Sequence, residues 1–522
     1  MKTRILLIVM LAIVGLSGNA QVTFQKTYGG TNIDYGYSIQ QTTDGGYFIV
    51  GTTLSFGAGN EDAYVIKTDS LGDTLWTKTY GGINHDRATS GQQTTDGGYI
   101  IAGYTKSFGA GQNDVYLIKT NPLGDTLWTK TYGGANFDMA NSVQQTADGG
   151  YIITGSTKSF GAGGYDIYLI KTNSMGDTLW TKTYGGNTDD YGRHVQQTTD
   201  GGYIIVGETY NSSFLMEVYL IKTDSSGSIL WKKNYGGGQD ESGFAVQQTS
   251  DGGYIVVGNT TSFGAGVNDV YLIKTNANGD TLWTRTYGDA SYDYGEAVQQ
   301  TTDGGYIIVG STFIANTNYD VYLIKTNVDG DTLWTKTYGG NNVDWGYSIK
   351  QTMDGGFVIV GTKRYGTAPE DIYLIKTDSN GNTSCNQTYS TTIVGLPHTH
   401  VINPSTQVSF GGHVASTSTI IGSGGIIIDP CTTTEINEIL PTPSLLLSPN
   451  PFTLQTTLTL QGTYHNPSLF IYNLLGQEVR SIPIGTNKQI TIPRSNLPAG
   501  MYFYKLIEDN KEVIGIGKLL VE

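Results

Sequence analysis

The chain has 522 residues, 72 of them glycine, with a formal net charge of −15 and a pI near 4.8. So acidic a surface disfavours nucleic acid and anionic membranes as partners, and two cysteines in the whole chain exclude a disulfide-framework domain. Glycine at about twice its ordinary usage points to a chain that turns often.

Residues 1–20 carry Lys2 and Arg4, an apolar run from Ile5 to Leu16, and then Ser17-Gly18-Asn19-Ala20. This reads as a secretory signal peptide. The apolar run is too short to span a bilayer, and no cysteine follows the cut to carry a lipid. No other apolar run is long enough to cross, so no membrane span is expected in the mature chain.

From residue 21 to 389 one stretch is copied seven times. The Asp-Gly-Gly triplet recurs with its aspartate at Asp44, Asp96, Asp148, Asp200, Asp251, Asp303 and Asp354, in steps of 52, 52, 52, 51, 52 and 51 residues. A fixed period of this size marks a repeat architecture. In the copy that starts at Leu127, Leu127–Tyr132, Ser142–Thr146, Tyr151–Gly155 and Asp166–Thr172 read as strands, rich in β-branched and aromatic residues. Asp148-Gly149-Gly150 supplies the positive φ angles of a tight hairpin, and no window shows a helical apolar period. Four short antiparallel strands in about 50 residues match one propeller blade. Seven copies predict an all-β chain built on a seven-bladed β-propeller, with Trp76, Trp128, Trp180, Trp231, Trp283 and Trp334 between blades. The copies resemble the bacterial β-propeller repeat family, which shares the Gly-Gly, Asp-Tyr-Gly, Asp-Gly-(Gly/Asn)-Tyr and Asp-x-Tyr-x-x-Lys pattern. The resemblance covers about Val22 to Tyr389; it implies the fold and little about function.

Eight segments compete for seven outer-strand places. Phe24–Tyr28 keeps an aromatic and Lys26, whereas Cys385–Tyr389 has lost both. The early copy is therefore expected to complete the last blade, displacing the late one into the segment that follows.

Residues 390–444 form a β-rich short-repeat segment and linker. Ile393-Val394, His400-Val401, Gln407-Val408, His413-Val414, Ile420-Ile421 and Ile426–Ile428 recur at a spacing near seven, but β-branched residues with Gly and Pro between them exclude a coiled coil. A small stack of short strands is expected. Cys385 and Cys431 flank it, and are either a disulfide in an oxidising compartment or two free thiols. Pro441 and Pro443 mark the linker.

Residues 445–522 show alternating strands at Thr456–Leu460, Ser468–Tyr472, Gln489–Ile492 and Met501–Leu506, which predict a small C-terminal β-sandwich. Ser448-Pro449-Asn450-Pro451-Phe452, Ile471–Val479, Leu497–Tyr502 and Gly517–Glu522 resemble, in order, the C-terminal sorting domain of the type IX secretion system of Bacteroidota. The resemblance implies the type IX secretion machinery as a partner and a secreted, extracellular or outer-surface location. It marks Pro449, Asn450, Pro451, Gly476, Gly500 and Lys518 as sorting-signal residues.

No singular catalytic motif appears in this sequence. One aspartate column, Asp34, Asp86, Asp138, Asp190, Asp240, Asp293 and Asp344, is read first as turn caps, and otherwise as a ring of carboxylates holding Ca²⁺; no other cofactor is expected. The lysine column, Lys67 to Lys376, is expected to pair with nearby carboxylates. Tyr35, Tyr191, Tyr294 and Trp345, beside the first aspartate column, are the candidate ligand contacts. His398, His400 and His413 form the one histidine cluster, read as surface residues. These features predict a secreted, non-enzymatic, multivalent binding or adhesion module, with a glycan or cell-envelope component as partner. Two alternatives remain open. One is a glycan-cleaving hydrolase or lyase in the divergent loops of blades 4, 6 and 7 (Thr209–Glu217, Phe313–Tyr319, Arg364–Glu370). The other is a structural surface protein without a ligand.

Overall fold

The computed structural model describes residues 21–385 apart from 315–317 and 367, short stretches between 387 and 448, and most of 452–521. The signal-peptide segment lies outside the described residues. Every regular element among those described is a strand, as the period-two patterning and frequent turns require. The chain separates into two units, 1–432 and 433–522.

The first unit repeats one plan seven times, which fits a propeller-like repeat fold. In the third sheet the inner strand Asp138–Gln145 turns into Tyr151–Thr157, which pairs with Asp166–Thr172 and that with Thr178–Gly185, all antiparallel. Gly149 in the hairpin takes φ = 80°, a conformation cheap only for glycine. The two middle strands are buried along their whole length, which is why they read as continuous apolar runs. The inner strand keeps a half-buried alternation.

Each sheet takes its outer strand from the start of the next copy. The seventh sheet (Asp344–Gln351, Phe357–Arg364, Glu370–Thr377) has no next copy, and Phe24–Gly29 fills the place in antiparallel register from Phe24↔Lys376 to Tyr28↔Ile372. The late copy is displaced: Gln387–Thr388 pairs instead with Thr337 and Tyr338 on the sixth sheet.

The segment after it does not form the expected stack. Its six short strands pair with the six remaining sheets, so that with Gln387–Thr388 each of the seven sheets gains a fifth, outermost strand, in reverse order. After Gln387–Thr388 on the sixth sheet come Ile393–Gly395 on the fifth, His400–Ile402 on the fourth and Gln407–Ser409 on the third. His413–Ser416, Ile420–Gly422 and Ile426–Ile428 follow on the second, first and seventh. The near-seven spacing is thus the step from one sheet edge to the next, a reach of roughly 23 Å for an extended chain. This strap covers edges that would otherwise present unpaired N–H and C=O groups.

Neighbouring sheets interlock through their outer strands. Tyr80 donates its hydroxyl to the carbonyl of Gly124 in the next sheet (2.7 Å). Tyr132, Tyr184, Tyr235, Tyr287 and Tyr338 do the same to Gly176, Gly227, Gly279, Gly330 and Gly381. Tyr28, on the seventh sheet, donates to Gly72 of the first (2.6 Å). Trp76 packs edge-on against Tyr99 of the following sheet at 5.8 Å, and Trp128, Trp180, Trp231 and Trp283 repeat the contact. One buried cluster joins Val358, Val360 and Leu374 of the seventh sheet to Ile39, Ile49 and Ile66 of the first.

The second unit has two antiparallel sheets. Leu446–Ser448, Gln455–Thr459 and Gln489–Pro493 form one; Glu478–Pro483, Ser468–Tyr472, Gly500–Ile507 and Val513–Val521 form the other. Leu458, Ile490 and Ile492 from the first share a core with Leu469, Ile471, Leu506 and Leu519 from the second.

If Phe24–Gly29 is as integral as the outer strands of the other sheets, Tyr28→Ala should cost as much as Tyr338→Ala, about 3–5 kcal/mol, in urea unfolding of the full chain. A Tyr28→Ala variant within about 1 kcal/mol of the parent would show that the first strand is dispensable.

Candidate functional site

The repeated charges are consumed by the fold. Lys171, buried among the sheet strands, donates to Thr172 O at 2.8 Å and meets Asp148 of the hairpin at 2.9 Å. Thr146 Oγ1 and Gly150 N donate to the same carboxylate. Burial pushes Asp148 up, but bonds from Thr146, Lys171 and Gly150 outweigh it and hold the carboxyl at about 2. The same pairing links Lys67 to Asp44, Lys119 to Asp96 and Lys222 to Asp200. The later turn aspartates Asp73, Asp125, Asp177 and Asp280 pair with Lys26, Lys78, Lys130 and Lys233 of the preceding sheet.

The inner-strand aspartates cap the loops that precede them. Asp34 accepts from Gly30 N at 2.8 Å and Ser55 Oγ at 2.8 Å; Asp86 and Asp138 accept from Gly82 N and Gly134 N, and from Ser107 and Ser159. Asp190 and Asp293 accept from Gly186 N and Asp289 N, and Asp344 pairs with Lys363 at 3.1 Å. Asp240 does not belong to this column: it accepts from Met216 N, and Glu241 takes the place, holding Gly237 N at 2.7 Å and Thr260 Oγ1 at 2.8 Å. Glu241 follows Gly236 at the same spacing as Asp190 follows Gly185, so Asp240 matches Asp189 and this copy carries a glutamate in the column. None of the column lines the central cavity described below. Among the described residues no group of three or more His, Cys, Asp or Glu is placed to hold a metal.

These caps meet a second set of buried carboxyls from the adjacent sheet. A methyl placed on Gly81 would lie 2.1 Å from Asp62 Oδ1 and 2.8 Å from Asp86 Oδ2, and Gly29, Gly133, Gly185, Gly288 and Gly339 are gripped in the same way. Burial pushes Asp62, Asp166, Asp190, Asp293, Asp320 and Asp371 up to about 6 and Asp344 to about 7. The partner carboxylate adds to the rise at Asp62, where it is Asp86, and at Asp371, where it is Asp34.

The four candidate aromatics do not converge on one site. Tyr294 and Trp345 meet at 5.9 Å, and Tyr319 stacks on Trp345 at 4.5 Å with Phe313 beside it at 5.1 Å, a platform shared by the sixth and seventh sheets. Tyr191 packs on Tyr165 at 5.3 Å, and Tyr35 stacks on Tyr37 at 5.8 Å. In the divergent loop of the fourth sheet Phe214 is exposed at φ = 61°. Glu217 there is tied to Asn211 at 3.0 Å and Asn234 at 2.7 Å, which gives it a structural role. His400 and His413 lie on strands of different sheets, opposite Gly236 and Gly133; His398 falls outside the described residues.

One set of residues escaped the sequence reading. All seven inner strands carry a β-bulge at the same place, and the bulged residue is Tyr37, Thr89, Asn141, Arg193, Phe244, Glu296 or Tyr347. All seven line one cavity of about 300 Å³ bounded by the inner strands of all seven sheets. Arg193 holds Glu208 through two nitrogens at 3.0 and 3.3 Å and lies over Phe244 at 5.5 Å. Burial, countered by Arg193 and reinforced by Glu208, pushes Glu296 up to about 7. Burial and the Lys350 charge push His194, a further lining residue, down to about 4, so its ring is neutral.

Of the sorting-signal residues, Gly500 sits opposite Val521 with φ = 151° and exposed Lys518 sits opposite Phe503. Pro449, Asn450, Pro451 and Gly476 lie outside the described residues. Cys385 is half-buried beside Gln25; Cys431 also lies outside them.

Residues 447–522 match the family described as a secretion system C-terminal sorting domain. The C-terminal unit is a type IX sorting tail. It points to export and to a cell-surface or extracellular location, and no helix among the described residues is long and apolar enough to cross a membrane. Elsewhere the chain is 25% identical over 186 residues to the regulatory protein FlaEY of Caulobacter vibrioides, spanning 31% of this chain and 19% of that one. Among solved structures it is similar to the extracellular domain of the one-component system BT4673 from B. thetaiotaomicron (10% identity, 94% of this chain and 57% of that one, TM-score 0.36). It is also similar to a protein of Dyadobacter fermentans (10%, 68% and 97%, TM-score 0.38) and to a thermostable family-43 glycoside hydrolase (11%, 45% and 89%, TM-score 0.29). The chain thus spans about a fifth of the curated relative and little more than half of the first solved one, and scores this low carry no argument about activity.

The buried carboxyls set a pH dependence. Their folded-state pKa lies above the unfolded value near 4, so the folded protein binds more protons, and their contribution to stability is lost as pH rises through 6 to 7. The melting temperature should therefore be higher at pH 5.5 than at pH 8, and Asp344→Asn should narrow the difference. A melting temperature that rises over this interval would contradict the assignment.

Proposed function

We propose that the chain is a secreted or cell-surface seven-bladed β-propeller acting as a non-enzymatic binding module for a glycan or another cell-envelope component. Closure of the seven sheets into a ring is supported by the Tyr28–Gly72 bond and by Met353 N donating to Gln41 Oε1 at 2.8 Å, the last sheet to the first. The observation that carries the binding reading is one cavity lined by aromatic and polar side chains from every inner strand, convergent groups of the kind a small-ligand site uses. The repeated carboxylates and lysines are meanwhile engaged in hydrogen bonds that build the fold.

A second reading, a glycan hydrolase, is favoured by Glu296 alone, whose carboxyl near 7 suits a general acid. The test is a glycan array probed with purified full-length protein, with and without Ca²⁺, followed by product analysis. Binding without shortened products is expected. Shortened products would replace the binding module with the hydrolase, and binding that requires Ca²⁺ would return the inner-strand carboxylates to a metal role.

We also propose that Cys385 and Cys431 form a disulfide that clasps the strap. Both ends come to the seventh sheet: Gln25 Nε2 donates to Cys385 O at 2.5 Å, and Ile428, three residues before Cys431, pairs with Thr27. No thiol should titrate in denaturant before reduction. Reduction should lower stability by about 3–5 kcal/mol, the order for a loop of this length. Two titratable thiols in the unreduced chain would exclude the clasp.

A further inference from the structure

The inner strands agree closely in sequence except at two positions, the residue after the opening carboxylate and the residue at the bulge. Each opens on a carboxylate, Glu241 in the fifth sheet and aspartate elsewhere, and six of the seven close on Gln-Gln. The residue before the bulge is always glycine or alanine, because it faces the preceding sheet: a methyl on Gly36 would meet Val360 Cγ2 of the seventh sheet at 2.7 Å. At the bulge itself six kinds of residue appear in seven copies. A bulge re-aims its side chain, and here all seven point into one cavity. Folding makes no common demand on this position, since Thr89 and Tyr347 hold it equally well. The variety makes the wall of a seven-fold pseudo-repeat asymmetric, which a singular ligand needs and a scaffold does not.

We propose that the seven bulge residues form one binding site per chain for a neutral saccharide, whose terminal ring enters the cavity. This rests on the glycan-binding reading above, and replaces the multivalent binding expected from the repeats with one site per chain. Tyr37 and Tyr347 meet at 5.6 Å, and Tyr35 backs Tyr37, an aromatic arc suited to the C–H face of a sugar. Facing polar groups come from Thr89, which donates to Ala140 O at 2.8 Å, and Asn141, which donates to Gly192 O at 2.7 Å. These bonds fix the two side chains in place, as discrimination among hydroxyl patterns requires. Arg193 is neutralised by Glu208, which leaves Lys350 as the other lysine or arginine of the lining, and the net charge of −15 repels anions.

The test is calorimetric titration of purified full-length protein with cello-, manno-, xylo- and chito-oligosaccharides, with oligogalacturonides as the acidic comparison. Tyr37→Ala, Tyr347→Ala and Asn141→Ala are compared with Trp345→Ala on the outer platform. Thr89→Trp fills the cavity without removing an aromatic, and thermal melting verifies that each variant folds. One saccharide per chain is expected, weakened at least tenfold by each cavity variant, abolished by Thr89→Trp and changed less than threefold by Trp345→Ala. Several saccharides per chain, or loss confined to Trp345→Ala, would overturn the cavity site while leaving glycan binding intact. Preference for oligogalacturonides would overturn the neutral class. Failure of every saccharide to bind would overturn both the site and the glycan reading.

Discussion

A four-stranded sheet of this composition has two apolar faces and can bury neither alone. The contact that solves this is the outer-strand tyrosine bonded to a turn glycine of the next sheet, as Tyr80 is to Gly124. That glycine is doubly constrained. Gly124 takes φ = 78°, and a methyl on it would meet the ring of Trp76 at 2.9 Å. Turn, tryptophan and tyrosine therefore change together or not at all, which accounts for the near identity of the copies. The borrowed strand Phe24–Gly29 follows from the same constraint, since without it the seventh sheet would have no tyrosine to present to Gly72.

This uniformity made much of the fold legible. Asp-Gly-Gly, the apolar run after it and the Asp-x-Tyr-x-x-Lys strand announce their structure locally, because the turn needs positive φ and the middle strands are buried on both faces. The borrowed strand was legible because Phe24 and Lys26 survive where Cys385 and Gln387 replace them. The strap was not. Its strands are three or four residues long and bond only to sheet edges, so their side-chain pattern carries no information about which sheet each one meets. The misplacement of Asp240 has an equally local cause: the copy is in register but carries Glu241 where the others carry aspartate, and the neighbouring Asp240 stands where the previous copy has Asp189.

The candidate site was legible only in part, for the opposite reason. A search for repeated residues finds the aspartate, lysine and tryptophan columns, and these build the fold. Tyr294 and Trp345 do meet, with Tyr319 packed on both, and Tyr319 stands where the sixth sheet's middle strands extend beyond those of most copies. The bulge residues signal themselves by failing to repeat. Aligning the seven copies would have exposed them, since Tyr37, Thr89, Asn141, Arg193, Phe244, Glu296 and Tyr347 stand between positions that barely change. What the alignment alone could not supply is the bulge, which turns this variation inward.

The two ends of the inner strand impose opposite electrostatic states on carboxyls of the same intrinsic acidity. At the hairpin end, a lysine and two further donors keep carboxyls such as Asp148 charged down to about 2. At the other end, burial, reinforced by a second carboxyl, lifts Asp62, Asp166 and Asp371 to about 6. The hairpin charges are matched by lysines and contribute little net field. Lysines counter the buried carboxyls only in part, Lys363 at Asp344 and Asp320 and Lys232 at Asp190, and the raised carboxyls take up protons first as pH falls. The formal charge of −15 therefore overstates the negative field of the folded protein near pH 6. Acidification removes the like-charge repulsion between adjacent sheets before it touches the lysine pairs, so weak acid tightens the packing between sheets and only strong acid loosens the hairpins.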